Sequence, residues 1–397
     1  MTDFAATKRQ FHLPAGMIYL DGNSLGPLPR ATAARVAKTV EQEWGDMLIT
    51  GWNKAGWMDK PMRVGDRIAR LIGAEAGHVV MGDTLSIKVY QALASCLEMN
   101  PTRKVIVSDT GNFPSDLYMA EGLCRTLGAG YTLKTVAPEE VYDAIDETVA
   151  VTMITEVDYR TGRKHDMAAL TARAHEKGAL AIWDLAHSAG AFQVELAKCN
   201  IDFAVGCTYK YLNSGPGGPA FIYVAPRHAE TARPALSGWQ GHAAPFAFDL
   251  SYRPATGAER MRVGTPPILQ LAALEASLDI WDGVDMAALR TASLALTDQF
   301  IAGIEAACPD LTLATPRAHD QRGSQVSFRH PEGYAIMQAM IARGVIGDFR
   351  APDIIRCGFT PLFIDADDVA KAIAIVADIM QNQLWDRPEY KTRAKVT

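Results

Sequence analysis

Apolar residues in the middle of the chain fall into short runs separated by stretches with helical spacing. Residues 104–108 (KVIVS), 148–155 (TVAVTMIT), 179–184 (ALAIWD), 201–206 (IDFAVG) and 220–224 (AFIYV) are β-branched or wholly apolar and of strand length. Before the third run, Asp166 stands where an N-cap belongs. Ala168, Leu170, Ala174 and Lys177 follow along a helix, and Gly178 is its stop. Apolar strands alternating with helices predict parallel βαβ units in a sheet covered on both faces. Ligands of such sheets gather at the carboxyl ends of the strands.

The last third has a different pattern. Met286–Ala307 reads as one long helix rich in Ala and Leu, Gln325–Arg329 as a short strand, and 335–343 and 367–381 as helices. This predicts a smaller α+β domain beginning near residue 285, with a charged, loose tail after Trp385.

Composition narrows the class. With 397 residues, 48% of them hydrophobic and 21% charged, the chain is an ordinary globular one with ample core. A net charge of −6 with no long Lys/Arg run argues against nucleic acid as a partner. No apolar stretch reaches the roughly 18 residues of a membrane helix. Lys8 and Arg9 are followed by no apolar segment of a signal peptide. The six cysteines include no C-x-x-C pair, which argues against zinc and redox motifs, and a reducing cytoplasm is the expected compartment.

Candidate chemistry lies just after two of the strands. Asp184-Leu-Ala-His187 closes one apolar run. Thr208-Tyr209-Lys210-Tyr211 follows the next, ahead of a Gly/Pro-rich turn at 213–219. Each has a plain structural reading: a strand-ending Asp forms turns, a single Lys is solvated, a single His is a satisfied core or surface residue, and Gly/Pro stretches are punctuation. Neither nucleotide-binding glycine fingerprint is present. The conjunction is what suggests pyridoxal phosphate (PLP). That cofactor needs a lysine amine for its Schiff base and a carboxylate to keep its ring nitrogen protonated. A carboxylate at one strand end and a lysine 26 positions later, after one more strand, can face one ring.

The segments WDLAHSAGA (183–191) and GCTYKYLNSGPGGPAF (206–221) resemble fold-type I PLP enzymes of the aminotransferase class V group. Within that group the chain resembles the kynureninases, through YLDGNSLGP (19–27), NFPSD (112–116), GWQGH (238–242), GTPPIL (264–269) and DFRAPDIIR (348–356) followed by TPL (360–362). The resemblance runs in order from about residue 18 to residue 385. It implies an α/β PLP-dependent transferase-like fold of type I: an N-terminal arm (1–50) contributing to the small domain and the active site, a large, mainly parallel-sheet PLP-binding domain (51–284) and a small C-terminal α+β domain (285–397).

By the same resemblance Lys210 carries the Schiff base and moves the α-proton, Asp184 pairs with the ring nitrogen with His187 near it, and Phe113 stacks on the ring. Asp116 and Thr155 lie at the cofactor. Leu85-Ser86 at a helix start, Tyr209, Trp239 and Thr265 hold the phosphate, with Thr265 supplied by a neighbouring subunit. Arg356 binds the substrate's α-carboxylate, and Ser24 is a second substrate contact. The implied reaction is hydrolysis of L-kynurenine, with 3-hydroxykynurenine as a second substrate, to an anthranilate and L-alanine in tryptophan catabolism. Tyr209 is a candidate proton relay, and the implied assembly is a homodimer with its sites at the subunit interface.

Two places depart from the family pattern. Gln240 stands where some members carry an aromatic, and 50–57 (TGWNKAGW) aligns poorly, leaving Trp52 and Trp57 as alternatives for the aryl pocket. Two other functions stay open at this point. One is a different class V reaction, with Cys357 as the nucleophile of a desulfurase. The other is a non-catalytic binding protein, against which Lys210 and Asp184 both speak.

Overall fold

A computed structural model describes residues 2–393. Its central sheet has seven strands in the order Val79–Met81, Phe221–Val224, Phe203–Gly206, Leu180–Asp184, Val149–Thr155, Val105–Asp109, Thr132–Val136. Five neighbouring strands, from Phe203–Gly206 to Thr132–Val136, pair in parallel. Val149–Thr155, at their centre, is buried at every position, as suits a parallel strand covered on both faces. The helix Met167–Glu176 begins where the Asp166 carboxylate accepts from Ala169 N–H at 3.0 Å, and the chain turns at Gly178 with φ +74°.

Two expectations about this sheet need correction. Phe221–Val224 runs antiparallel to both neighbours, because 207–220 holds only turns and returns the chain directly instead of crossing over. The crossover from Leu180–Asp184 to Phe203–Gly206 is parallel but has no helix; its length, not its secondary structure, allows the crossing.

A second, four-stranded antiparallel sheet runs in the order Thr312–Leu313, Gln325–Arg329, Ile354–Gly358, Asp348–Arg350. Helices Met286–Ala307, Gly333–Ala342 and Ala366–Gln381 accompany it. Met286–Ala307 has the predicted bounds, set at its start by the Asp285 carboxylate accepting from Ala287 and Ala288 N–H. The first residues of the chain lie on this region too. Ile18–Tyr19 pairs in parallel with Val345–Ile346, Gly358 N–H donates to the Leu20 carbonyl, and Lys8 reaches Asp365. The tail after Trp385 is not loose where it is described. Pro388–Lys391 is a short helix against Gly333–Ala342, and Tyr390 packs on the core; residues 394–397 lie outside the described residues. No helix among the described residues is long and apolar enough to cross a membrane.

Candidate active site

Strand register brings the first polar groups together. Thr155 and Asp184 end adjacent parallel strands and are paired in register. Asp109 ends Val105–Asp109, and the turn after it carries Phe113 and then Asp116, in the first turn of helix Pro114–Leu127. Lys210 follows Phe203–Gly206 by one turn. All these groups therefore sit at the carboxyl edge of the parallel strands.

The electrostatics there are uneven. Burial pushes the Asp184 carboxyl up to about 6, against the pull of the Lys210 ammonium, the Ala186 N–H at 2.9 Å and the Thr155 hydroxyl. Burial pushes Asp116 well above the usual carboxylate range; Asp184's charge adds to this and Lys210 opposes it. Asp116 Oδ2 is buried with no partner. Two buried carboxylates thus share one lysine, which leaves room for a second positive group. A protonated ring nitrogen is such a group, so the donor set fits PLP. Lys210 Nζ lies 2.9 Å from His187 Nε2 and 5.9 Å from the Phe113 ring centre. Phe113 stands edge-on to Tyr159 and is 44% exposed, so part of the ring is left free as a flat apolar wall.

An anion-binding end is also present. Helix Leu85–Met99 starts after Thr84 without a side-chain cap, and Ser86 Oγ is 2.9 Å from Ser115 Oγ on helix Pro114–Leu127. Uncapped N–H groups and hydroxyls at a helix start suit a phosphate. Tyr209's hydroxyl is pushed up by Cys207 and by burial, so it keeps its proton and remains a donor. Trp239 and Thr265 are joined to this cluster by no hydrogen bond or ring contact among the described residues. Trp239 packs on Phe246, and Thr265 lines a small cleft with Gly82 and Asp83.

Ser24 and Arg356 do meet. Ser24 Oγ accepts from Arg356 Nη2 at 2.7 Å and from Arg350 Nη2 at 3.1 Å, and donates to Asp348 Oδ2 at 2.6 Å. Arg356 is not an open fork. It is 1% exposed, pairs with Asp348 through Nε and Nη2, and donates from Nη1 to the Tyr159 carbonyl. A guanidinium buried this deeply needs such partners. Burial and Asp348 push the nearby Asp21 carboxyl up to about 7, with Arg356 opposing. The Ser24 loop lies directly on the lysine loop: Gly26 N–H donates to the Tyr209 carbonyl at 2.7 Å, and a Cβ on Gly26 would collide with the Lys210 carbonyl.

A family model for the kynureninase C-terminal domain matches residues 289–376. Kynureninases from Pseudomonas fluorescens and from Burkholderia pseudomallei (strain 1106a) are each 52% identical to this chain over 400 residues, covering 99% of it and 96% of their own length. The chain belongs to the kynureninase family. Among solved structures, a cysteine desulfurase from Thermococcus onnurineus NA1 superposes with a TM-score of 0.81 at 17% identity, over 96% of this chain and 99% of its own. The desulfurase CsdA from Escherichia coli does so with a TM-score of 0.80 at 17% identity, over 96% and 99%. At that identity the likeness is one of fold, the α/β type I fold.

Against the kynureninase pattern, the structure also places the doubtful residues. Trp57 is nearly buried, donates Nε1–H to Glu43 at 3.1 Å and stands edge-on to Trp52. It is a packing residue. Cys357 is buried in strand Ile354–Gly358 and burial pushes its thiol up, which is the opposite of a mobile nucleophile. Two residues at the site, Tyr159 and Gln325, carry no site signal in the sequence, and Ser115 appears there only within the motif NFPSD. Asp348 was noticed only as part of a motif. The signal for it was there, because a tight hairpin at Pro352 puts residue 348 opposite 356.

Proposed function

We propose that this protein hydrolyses L-kynurenine to anthranilate and L-alanine with PLP held at Lys210. The observation that carries the reading is 52% identity to kynureninases along the whole chain. The surplus of buried carboxylate around one lysine supports it.

When bound, the cofactor supplies an electron sink, so that the bond between the β-carbon and the ketone carbon can break once water has added. The residues do the rest. Lys210 Nζ takes and returns the substrate's α-proton. Asp184, steadied by Thr155 and the Ala186 N–H, pairs with the ring nitrogen, with His187 against the lysine and Asp116 within reach of its charge. Phe113 covers a ring face. Leu85 and Ser86, with Tyr209, hold the phosphate, and Tyr209 relays a proton from its hydroxyl. Arg356, with Ser24 beside it, attracts the α-carboxylate: the guanidiniums of Arg350 and Arg356 outnumber the carboxylate of Asp348, and burial weakens the opposing charge of Asp21 by pushing its carboxyl up. Trp239 and Thr265 complete a phosphate site across the interface of a homodimer. The same reading takes 1–50 as an arm, 51–284 as the cofactor domain and 285–397 as the small domain of a cytoplasmic enzyme.

The test is a product assay. PLP-loaded protein is mixed with L-kynurenine, anthranilate fluorescence is followed and alanine is measured, with 3-hydroxykynurenine and L-cysteine run alongside. Anthranilate and alanine in equal amounts are expected. Loaded protein that makes neither would overturn the reading.

A further inference from the structure

The His187 ring has two nitrogens, and both are engaged. Nε2 lies 2.9 Å from Lys210 Nζ, and Nδ1 lies 3.0 Å from Gln325 Oε1. Which nitrogen carries the proton is decided from the Gln325 side. Gln325 is fully buried and opens strand Gln325–Arg329 of the second sheet. Its Nε2 donates to the carbonyls of Tyr159 at 3.1 Å and Asp158 at 3.3 Å. Carbonyls can only accept, so the amide cannot be turned round, and its oxygen must face His187. An amide oxygen also only accepts, so Nδ1 must bring the proton. Burial, and then the charges of Lys210 and Arg356, hold the ring well below its usual pKa, so it carries a single proton. Nε2 is then left with a lone pair, directed at the lysine.

We propose that Gln325 is a positioning residue for Lys210: it holds His187 as the Nδ1–H tautomer, so that Nε2 accepts from the lysine Nζ. The opposite tautomer would point an N–H at the protonated amine, which has no lone pair to accept it. A lysine that must take and return a proton at one carbon needs its nitrogen in one place. The same amide reaches further. The Tyr159 carbonyl that accepts from Gln325 also accepts from Arg356 Nη1, so one carbonyl joins the carboxylate-binding cluster to the lysine through Gln325 and His187. A residue of the second sheet thereby sets the chemistry of a side chain at the edge of the first. This role rests on the function proposed above.

The closing experiment begins without cofactor or substrate. Long-range proton–nitrogen NMR of histidine-labelled apoprotein, with the His187 signals assigned by their loss in His187→Gln, should show the proton on Nδ1. In Gln325→Met, which removes the amide at similar length, both tautomers should be populated. The loaded variant should turn over kynurenine about tenfold more slowly or worse, with the larger change in kcat rather than KM and a displaced pH profile. A proton on Nε2 of the unsubstituted protein overturns the proposal, and that holds even if Gln325→Met fails to fold. So does a folded Gln325→Met protein that keeps the Nδ1 tautomer and turns over within about twofold of the parent. Unsubstituted loaded protein that is inactive on kynurenine would instead overturn the function and leave the tautomer result standing.

Discussion

At the scale of single residues, the site is organised by a shortage of positive charge. Asp184 and Asp116 are both buried and both lean on Lys210. A cation beside Asp184 would lower its proton affinity again and keep it ionised. Asp184→Asn keeps an acceptor for the Ala186 N–H but has no charge to pair with a protonated ring. It should lose bound PLP on dialysis and lower turnover by about a hundredfold or more. Tyr209→Phe, which removes one of several phosphate contacts, should lower turnover far more than cofactor occupancy. Absorbance of bound cofactor and the product assay measure both; equal loss of cofactor in the two variants would make Tyr209 a holding group rather than a relay. Asp184 and Lys210 were legible because each follows an apolar run by a fixed short step. Gln325 was not, since its partner His187 is 138 positions away and a polar residue opening a strand looks like a solvated strand end.

At the scale of elements, Asp202 is a joint. Its buried carboxylate accepts from Ala181 N–H at 2.8 Å, His175 Nε2 at 2.8 Å, His228 Nε2 at 2.6 Å and Arg227 Nη2 at 2.6 Å. It thereby ties helix Met167–Glu176 and the turn Pro226–His228 to strands Leu180–Asp184 and Phe203–Gly206. Burial alone would raise its pKa, but the bonds from His175, His228 and Ala181 outweigh burial and hold the carboxyl well below its usual value. A group whose pKa is lower when folded stabilises the fold above its unfolded pKa of about 3.9, and that stability is lost as pH falls through the folded value. Asp202→Asn should therefore cost about 2 kcal/mol at pH 7, and the gap to the parent should narrow below about pH 4. Denaturant melts at several pH values read this; a gap that stays constant in acid would refute it. The helix beside this joint was legible from its cap and stop. Strand Phe221–Val224 was legible too but its reversal was not, because a run of apolar residues carries no direction and only the path of 207–220 supplies one.

At the scale of the whole molecule, apolar surface is left uncovered. Trp239, Phe246, Phe248 and Leu250 are exposed within one segment, and Met17, Leu25 and Leu28 are exposed around a groove of about 430 Å³. Exposed apolar surface of this kind is what the proposed homodimer would cover. The proposed homodimer predicts sedimentation at twice the 43.0 kDa chain mass, and a fully active species at single mass would contradict it. The division into two sheets was legible from the change of pattern near residue 285. The attachment of the N-terminal arm to the C-terminal region follows from the family resemblance alone, since two-residue strands leave no periodicity to read.

That attachment reaches beyond the finished molecule to its synthesis. Ile18–Tyr19 finds its strand partner only at Val345–Ile346, the Leu20 carbonyl its donor only at Gly358, and Ser24 its guanidinium only at Arg356. As a ribosome makes the chain, the central sheet can close once Phe221–Val224 has emerged, while residues 18–24 wait for these partners until some nine-tenths of the translation is done. A truncated product of an interrupted message can then carry Lys210 and Asp184 on a folded sheet and still lack Arg350 and Arg356, the guanidiniums proposed above to seat a substrate carboxylate.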